Sequence, residues 1–132
     1  MNILLAGIGA AIGAMLRYSL TNYGKRHWEW IGKIFLNLPI PTLVINLTGA
    51  FILGLIFSMQ VSVFWHALIG TGVLGGYTTF STLNTELVGL YHSKNYRGFV
   101  LYSIASFIGG LFCIYLGYGI GVFLGRFIVQ NI

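Results

Sequence analysis

Charged side chains interrupt this chain rarely, and the intervals between them set its elements. Residues 1–16, 34–85 and 98–125 carry none. A helix crosses the hydrocarbon core of a bilayer with about 20 apolar residues. The first and last intervals therefore predict one span each, and the long middle interval predicts two. Span one covers residues 3–20. Span two starts near Pro41, which suits a first helical turn because no amide is lost there, and ends near Met59. Residues 60–63 form so short a link that spans two and three must be antiparallel neighbours. Span three covers residues 64–90 and span four residues 98–129. Both exceed what a bilayer requires, which predicts tilt, a break, or ends standing in water. Residues 21–40 hold Lys25, Arg26, Glu29, Lys33, Trp28 and Trp30. They suit either a short helix along the membrane surface or a polar loop. The expectation is an all-α membrane protein, one domain over residues 1–132, with four transmembrane helices.

Composition narrows the function classes. The chain is 57% hydrophobic and 7% charged, against about 25% charged for a soluble domain, and it is too apolar for disorder. Seven Lys/Arg outweigh two acids. They lie between neutral stretches rather than along a stripe, so nucleic acid is not the expected partner. The single cysteine, Cys113, excludes an internal disulfide or a CxxC site and fits a small packing residue. His27, His66 and His92 lack metal-ligand spacing, and nothing supports an enzyme. The first apolar stretch lacks a basic region before it and leads into further spans, unlike a cleavable signal. Tyr18, Tyr23, Trp28, Trp30, Trp65 and Tyr91 lie near span ends, as an interfacial aromatic belt does. Arg17, Lys25, Arg26, Lys33, Lys94 and Arg97 fall on one side and Arg126 alone on the other. The positive-inside rule then places both charged loops in the cytoplasm and both termini outside.

The chemistry concentrates in one run, Gly75-Gly76-Tyr77-Thr78-Thr79-Phe80-Ser81-Thr82-Leu83-Asn84-Thr85-Glu86. Each interior glycine costs a helix about 1 kcal/mol against alanine. The midpoint of span three is residue 77, so a break at the paired glycines falls at the bilayer centre. An unsatisfied backbone group there costs roughly 2–7 kcal/mol. Irregular backbone survives at that depth only when buried in protein or lining a wet cavity, and broken membrane helices are used to hold ions. The competing reading is a plain glycine kink with back-bonded hydroxyls.

Several polar residues elsewhere have two readings each. Asn46, inside span two, is either a hydrogen bond between helices or a ligand. Glu86, the only acid within a span, is a functional candidate, though two turns past the midpoint a structural pairing suits it better. Arg17 either draws anions into a vestibule or snorkels to the interface. Gly9 and Gly13, the row Ala6, Ala10 and Ala14, and the row Gly117, Gly121 and Gly125 allow close helix contact. Four spans make a small bundle, so a pore is expected between subunits rather than inside one.

These residues resemble the Fluc/CrcB family of fluoride channels over essentially the whole chain. The likeness rests on Arg17 late in span one, on Thr42-Leu43-Val44-Ile45-Asn46-Leu47, and on Gly75-Gly76-Tyr77-Thr78-Thr79-Phe80-Ser81-Thr82 followed by Glu86. The resemblance implies an inverted, antiparallel dimer whose broken third helices meet on the two-fold axis. It implies that backbone carbonyls of Gly75 and Thr78 from both subunits hold a structural Na⁺ that is not transported. A midpoint break independently suits this, because an inverted copy returns the same atoms to the same depth. Four carbonyl oxygens can then replace a cation's hydration shell. Fluoride is strongly hydrated, so its path must offer donors. Candidates are the Asn46 amide, the Ser81 and Thr82 hydroxyls, and the electropositive ring edge of Phe80. The resemblance assigns pore-lining roles to Phe80 and Asn46.

The chain also departs from the family pattern. Leu83 stands where a second phenylalanine is usual, and Gly110 and Ile114 stand where the fourth helix commonly offers hydroxyls. With the charge bias, this suggests a heterodimer with a paralogue of opposite bias and a single conducting pore. The expected activity is passive, uncoupled fluoride export across a microbial plasma membrane, giving fluoride resistance, with membrane lipid and a second subunit as partners. Two rivals stand beside it. A proton-coupled four-span drug exporter needs a carboxylate in span one, and none is present. A non-conducting assembly subunit would be held by its GxxxG faces.

Overall fold

A computed structural model of the protein describes residues 2–131. Its elements are α1 (Asn2–His27), α2 (Glu29–Ile34), α3 (Ile40–Ser58), α4 (Val63–Trp65), a π-helical stretch (His66–Val73), α5 (Leu74–Tyr77), α6 (Phe80–His92) and α7 (Tyr96–Asn131). Among the described residues there is no strand. Three helices, α1, α3 and α7, are long and apolar enough to cross a membrane. Between α3 and α7, residues 63–92 form two helical halves separated by an extended step. The step comprises Thr78 (φ −76°, ψ 156°) and Thr79 (φ −146°, ψ 116°).

The step lies beyond the paired glycines, which corrects the expected position of the break. Gly75 and Gly76 are helical, within α5. Gly76 serves close packing, since a Cβ there would strike the backbone of Ala10. The chain comes unwound at the threonines, whose side chains offer the backbone alternative partners. Before the break the helix is π-wound over His66–Val73, a rare geometry that hydropathy does not signal.

The small-residue rows are used inside the subunit. A Cβ on Gly9 or Gly13 would strike residues 68–77, and a Cβ on Gly117 or Gly121 would strike α3 at Phe51 or Ser58. These contacts bind α1 to the first half of the broken segment and α7 to α3. The GxxxG face of α1 is therefore filled from within, which removes the basis for a subunit held to others by that face. Only Gly125 of these positions has open space around it.

A buried cluster of Leu38, Leu83, Leu87, Leu90 and Tyr102 seats α6 against α7. α1 continues past residue 20 and ends in Lys25, Arg26 and His27, where positive charge complements the helix dipole. The segment after it divides between the two expected forms, a short helix α2 and a turn with Leu36 and Asn37 at positive φ. Asn95 ties this turn to the last loop. Its Nδ2 donates to the Leu36 carbonyl at 2.6 Å, and its Oδ1 accepts from Gly98 N at 3.1 Å, capping α7.

Candidate functional site

In an unbroken helix the Thr79 amide would return to the Gly75 carbonyl, and the Thr82 amide to the Thr78 carbonyl. Neither does. Thr79 N donates to Asn46 Oδ1 at 3.0 Å, and Asn46 Nδ2 donates back to the Thr79 carbonyl at 3.1 Å. Thr82 N donates to Thr79 Oγ1 at 3.3 Å, so the threonine side chain caps α6. The step separates the carbonyls of residues 75–78 from their helical donors, and for the two singled out in the sequence, Gly75 and Thr78, the donor amide is held by a side chain instead. Among the described residues, the Thr78 oxygen is met only by the Arg17 guanidinium, with Nη1 at 3.4 Å. The Leu74 carbonyl is well supplied, by Thr78 N and Thr78 Oγ1, each at 2.9 Å.

Two cavities flank the step, and Thr79 borders both. The first, about 370 Å³, brings together Asn46, Gly75, Thr78 and Phe80. Leu83 and Ile114 also line it, whereas Gly110 does not. Phe80 is 65% exposed, and a Cβ built on Gly75 meets nothing within 4 Å. This side of the break faces outward from the subunit. The second cavity, about 890 Å³, lies between α1, α2 and the start of α3. It carries Arg17, Lys25, Lys33, Thr82 and Glu86. The candidate fluoride residues are therefore divided. Asn46 and Phe80 share one cavity, Thr82 lines the other, and Ser81 lies exposed beside the step with its Oγ 3.5 Å from Thr79 Oγ1.

Three further polar residues complete the surroundings: Glu86, which the sequence singled out as a vestibule or structural polar residue, and Tyr102 and Ser106, which it did not. Glu86 accepts from Thr42 Oγ1 at 2.8 Å and from the Tyr102 hydroxyl at 2.6 Å. Both carboxylate oxygens are occupied, as a structural pairing requires. Tyr102 comes from α7 and is 0% exposed; its hydroxyl gave no sign in the sequence of the acid it would meet. The third residue is Ser106, 9% exposed, which lines the Asn46–Phe80 cavity. Among the described residues, its Oγ has no hydrogen-bond partner. It precedes Gly110 and Ile114 by four and eight residues on one face of α7. Extending that row by one turn would have found it.

The donors at the step are backbone oxygens. Among the described residues there is no group of three His, Cys, Asp or Glu able to hold a metal. Two carbonyls released from helical bonding suit a small, hard cation that prefers oxygen. The Gly75 and Thr78 oxygens of one subunit are fewer than the roughly six oxygens a hard cation takes.

The family model described as CrcB-like protein, Camphor Resistance (CrcB), matches residues 4–118. The chain is 68% identical over 122 residues to the fluoride-specific ion channel FluC 2 of Lactobacillus acidophilus, covering 92% of this chain and 98% of that one. It is 54% identical over 124 residues to FluC 2 of Lactobacillus johnsonii, covering 94% and 99%. It is 41% identical over 122 residues to FluC 1 of Listeria monocytogenes, covering 92% and 98%.

Proposed function

Since this chain belongs to the CrcB family, we propose that it is a subunit of a fluoride-selective channel that lets cytoplasmic fluoride leave passively through a microbial plasma membrane. The observation that carries the site is the half-built cluster at the step, where two freed carbonyls border an outward-facing cavity. The segment of residues 63–92 makes a fourth crossing, with the step at the midplane. A second subunit packs upside down against it and brings its own Gly75- and Thr78-type carbonyls. The four oxygens hold a structural Na⁺, which neutralises their partial charge and keeps the pair together.

Fluoride then passes beside this centre, along the cavity of Asn46, Phe80 and Ser106. Asn46 has two amide hydrogens, and Thr79 takes one. The other is available to an anion, as is the unpartnered Ser106 hydroxyl. Phe80 offers its ring edge. Arg17 and Thr82 serve the larger cavity as a vestibule, and Ser81 faces the partner. Weak donors suit conduction, since an ion held too firmly does not leave. No ATP or coupled ion enters.

The six-to-one distribution of basic residues favours one orientation, with both termini outside. It supports a partner of opposite bias, a paralogue, rather than a second copy. The numbered names of the relatives, FluC 1 and FluC 2, support the same reading. Efflux from liposomes tests the activity. Fluoride should leave at least ~100-fold faster than chloride, a difference of about 2.7 kcal/mol in barrier, and the rate should rise when the paralogue is co-reconstituted. Comparable fluoride and chloride rates would refute selectivity.

A further inference from the structure

We propose that Asn46 is a positioning residue that builds the cation site, in addition to facing the fluoride path. The inference rests on the channel reading above. An extended residue inside a membrane must find partners for both its amide and its carbonyl. Asn46 supplies both to Thr79 from one carboxamide, at 3.0 and 3.1 Å. It acts as a neighbouring peptide would beside a strand. Its orientation is fixed by its partners, because an amide can meet only Oδ1 and a carbonyl only Nδ2.

The same helix grips the neighbouring residues. Thr48 Oγ1 lies 2.9 Å from the Tyr77 hydroxyl, and Gly49 packs directly on the Thr78 methyl and the Tyr77 ring. α3 is thus the template on which residues 77–79 are laid. Removing the Asn46 carboxamide leaves the Thr79 amide without its partner. Its ordinary helical acceptor is the Gly75 carbonyl, one of the oxygens the cation needs. Thr79 Oγ1 performs the parallel service for Thr78 by holding the Thr82 amide. Two side chains therefore divert the amides that would otherwise claim the Gly75 and Thr78 carbonyls, and the Thr78 oxygen keeps a lone pair beside its contact with Arg17 Nη1 at 3.4 Å.

The test is equilibrium binding of radiolabelled Na⁺ to the purified complex, with fluoride efflux measured on the same preparations. Asn46→Ala and Thr79→Val should each raise the Na⁺ dissociation constant roughly tenfold, the size expected for one well-formed hydrogen bond. Excess Na⁺ should restore much of the efflux lost in Thr79→Val. Phe80→Ile, a pathway change, should lower efflux with Na⁺ affinity unmoved. An Asn46→Ala complex that binds Na⁺ as tightly as the parent would overturn the proposal. If that variant fails to assemble, Thr79→Val decides by the same measurement. A parent complex that binds no Na⁺ would remove the cation reading itself, and this inference with it.

Discussion

Gly75 and Gly76 adjoin in sequence and do different work. A methyl on Gly76 would strike the Ala10 backbone, while one on Gly75 meets nothing within 4 Å in the subunit. Gly76→Ala should therefore destabilise the fold itself, by about 1–3 kcal/mol as overpacking does, read as a lowered melting temperature. Gly75→Ala should leave the subunit folded and weaken pairing instead, read as dissociation in detergent at higher protein concentration than the parent. Unchanged pairing in Gly75→Ala would argue against a partner approaching that backbone. At this scale the sequence was partly legible. Asn46 had two readings, and its bonds to Thr79 fulfil the one between helices while leaving an amide hydrogen for the other. Ser106 was not read because the departures from the family pattern, at Gly110 and Ile114, begin one turn later on the same face of α7.

The broken segment is the element where pattern and structure diverge most. A charge-free interval measures length and hydropathy, and it predicted two crossings between α2 and the last loop; of these, α3 is long and apolar enough to cross alone, while residues 63–92 are divided by the step. It carried no information on winding, and the π-helical stretch was invisible for that reason. Paired glycines looked like the weak point because propensity penalises them, yet tertiary packing holds them helical against α1. The threonines break the helix because their hydroxyls and the facing Asn46 satisfy what the extended backbone loses. The second half, α6, is secured to α7 through Glu86. Tyr102→Phe removes the bond to Glu86 Oε2 and leaves that oxygen without its partner. A loss of about 1–3 kcal/mol is expected, measurable by chemical denaturation in detergent. An unchanged transition midpoint would show that the carboxylate is served by water instead.

Across the whole molecule, what is exposed matters as much as what is packed. The glycine rows, Gly125 apart, are filled within the chain, while Phe80, Gly75 and Thr78 lie on an open side. A single subunit thus exposes a polar break in a mostly apolar setting, where the bilayer core offers no water to satisfy it. Sequence could reach the proposed pairing only through the family likeness, because a site shared between chains leaves no pattern in one of them. Charge distribution, by contrast, is readable directly, and its imbalance argues for a partner inserted the other way. The most direct measurement is a density map of the purified complex in a lipid nanodisc. The expected map has two subunits pointing in opposite directions, their Thr78–Thr79 steps facing each other at the bilayer centre, with density for an ion among four carbonyl oxygens. Parallel subunits, or a third helix running unbroken through residues 78 and 79, would contradict it.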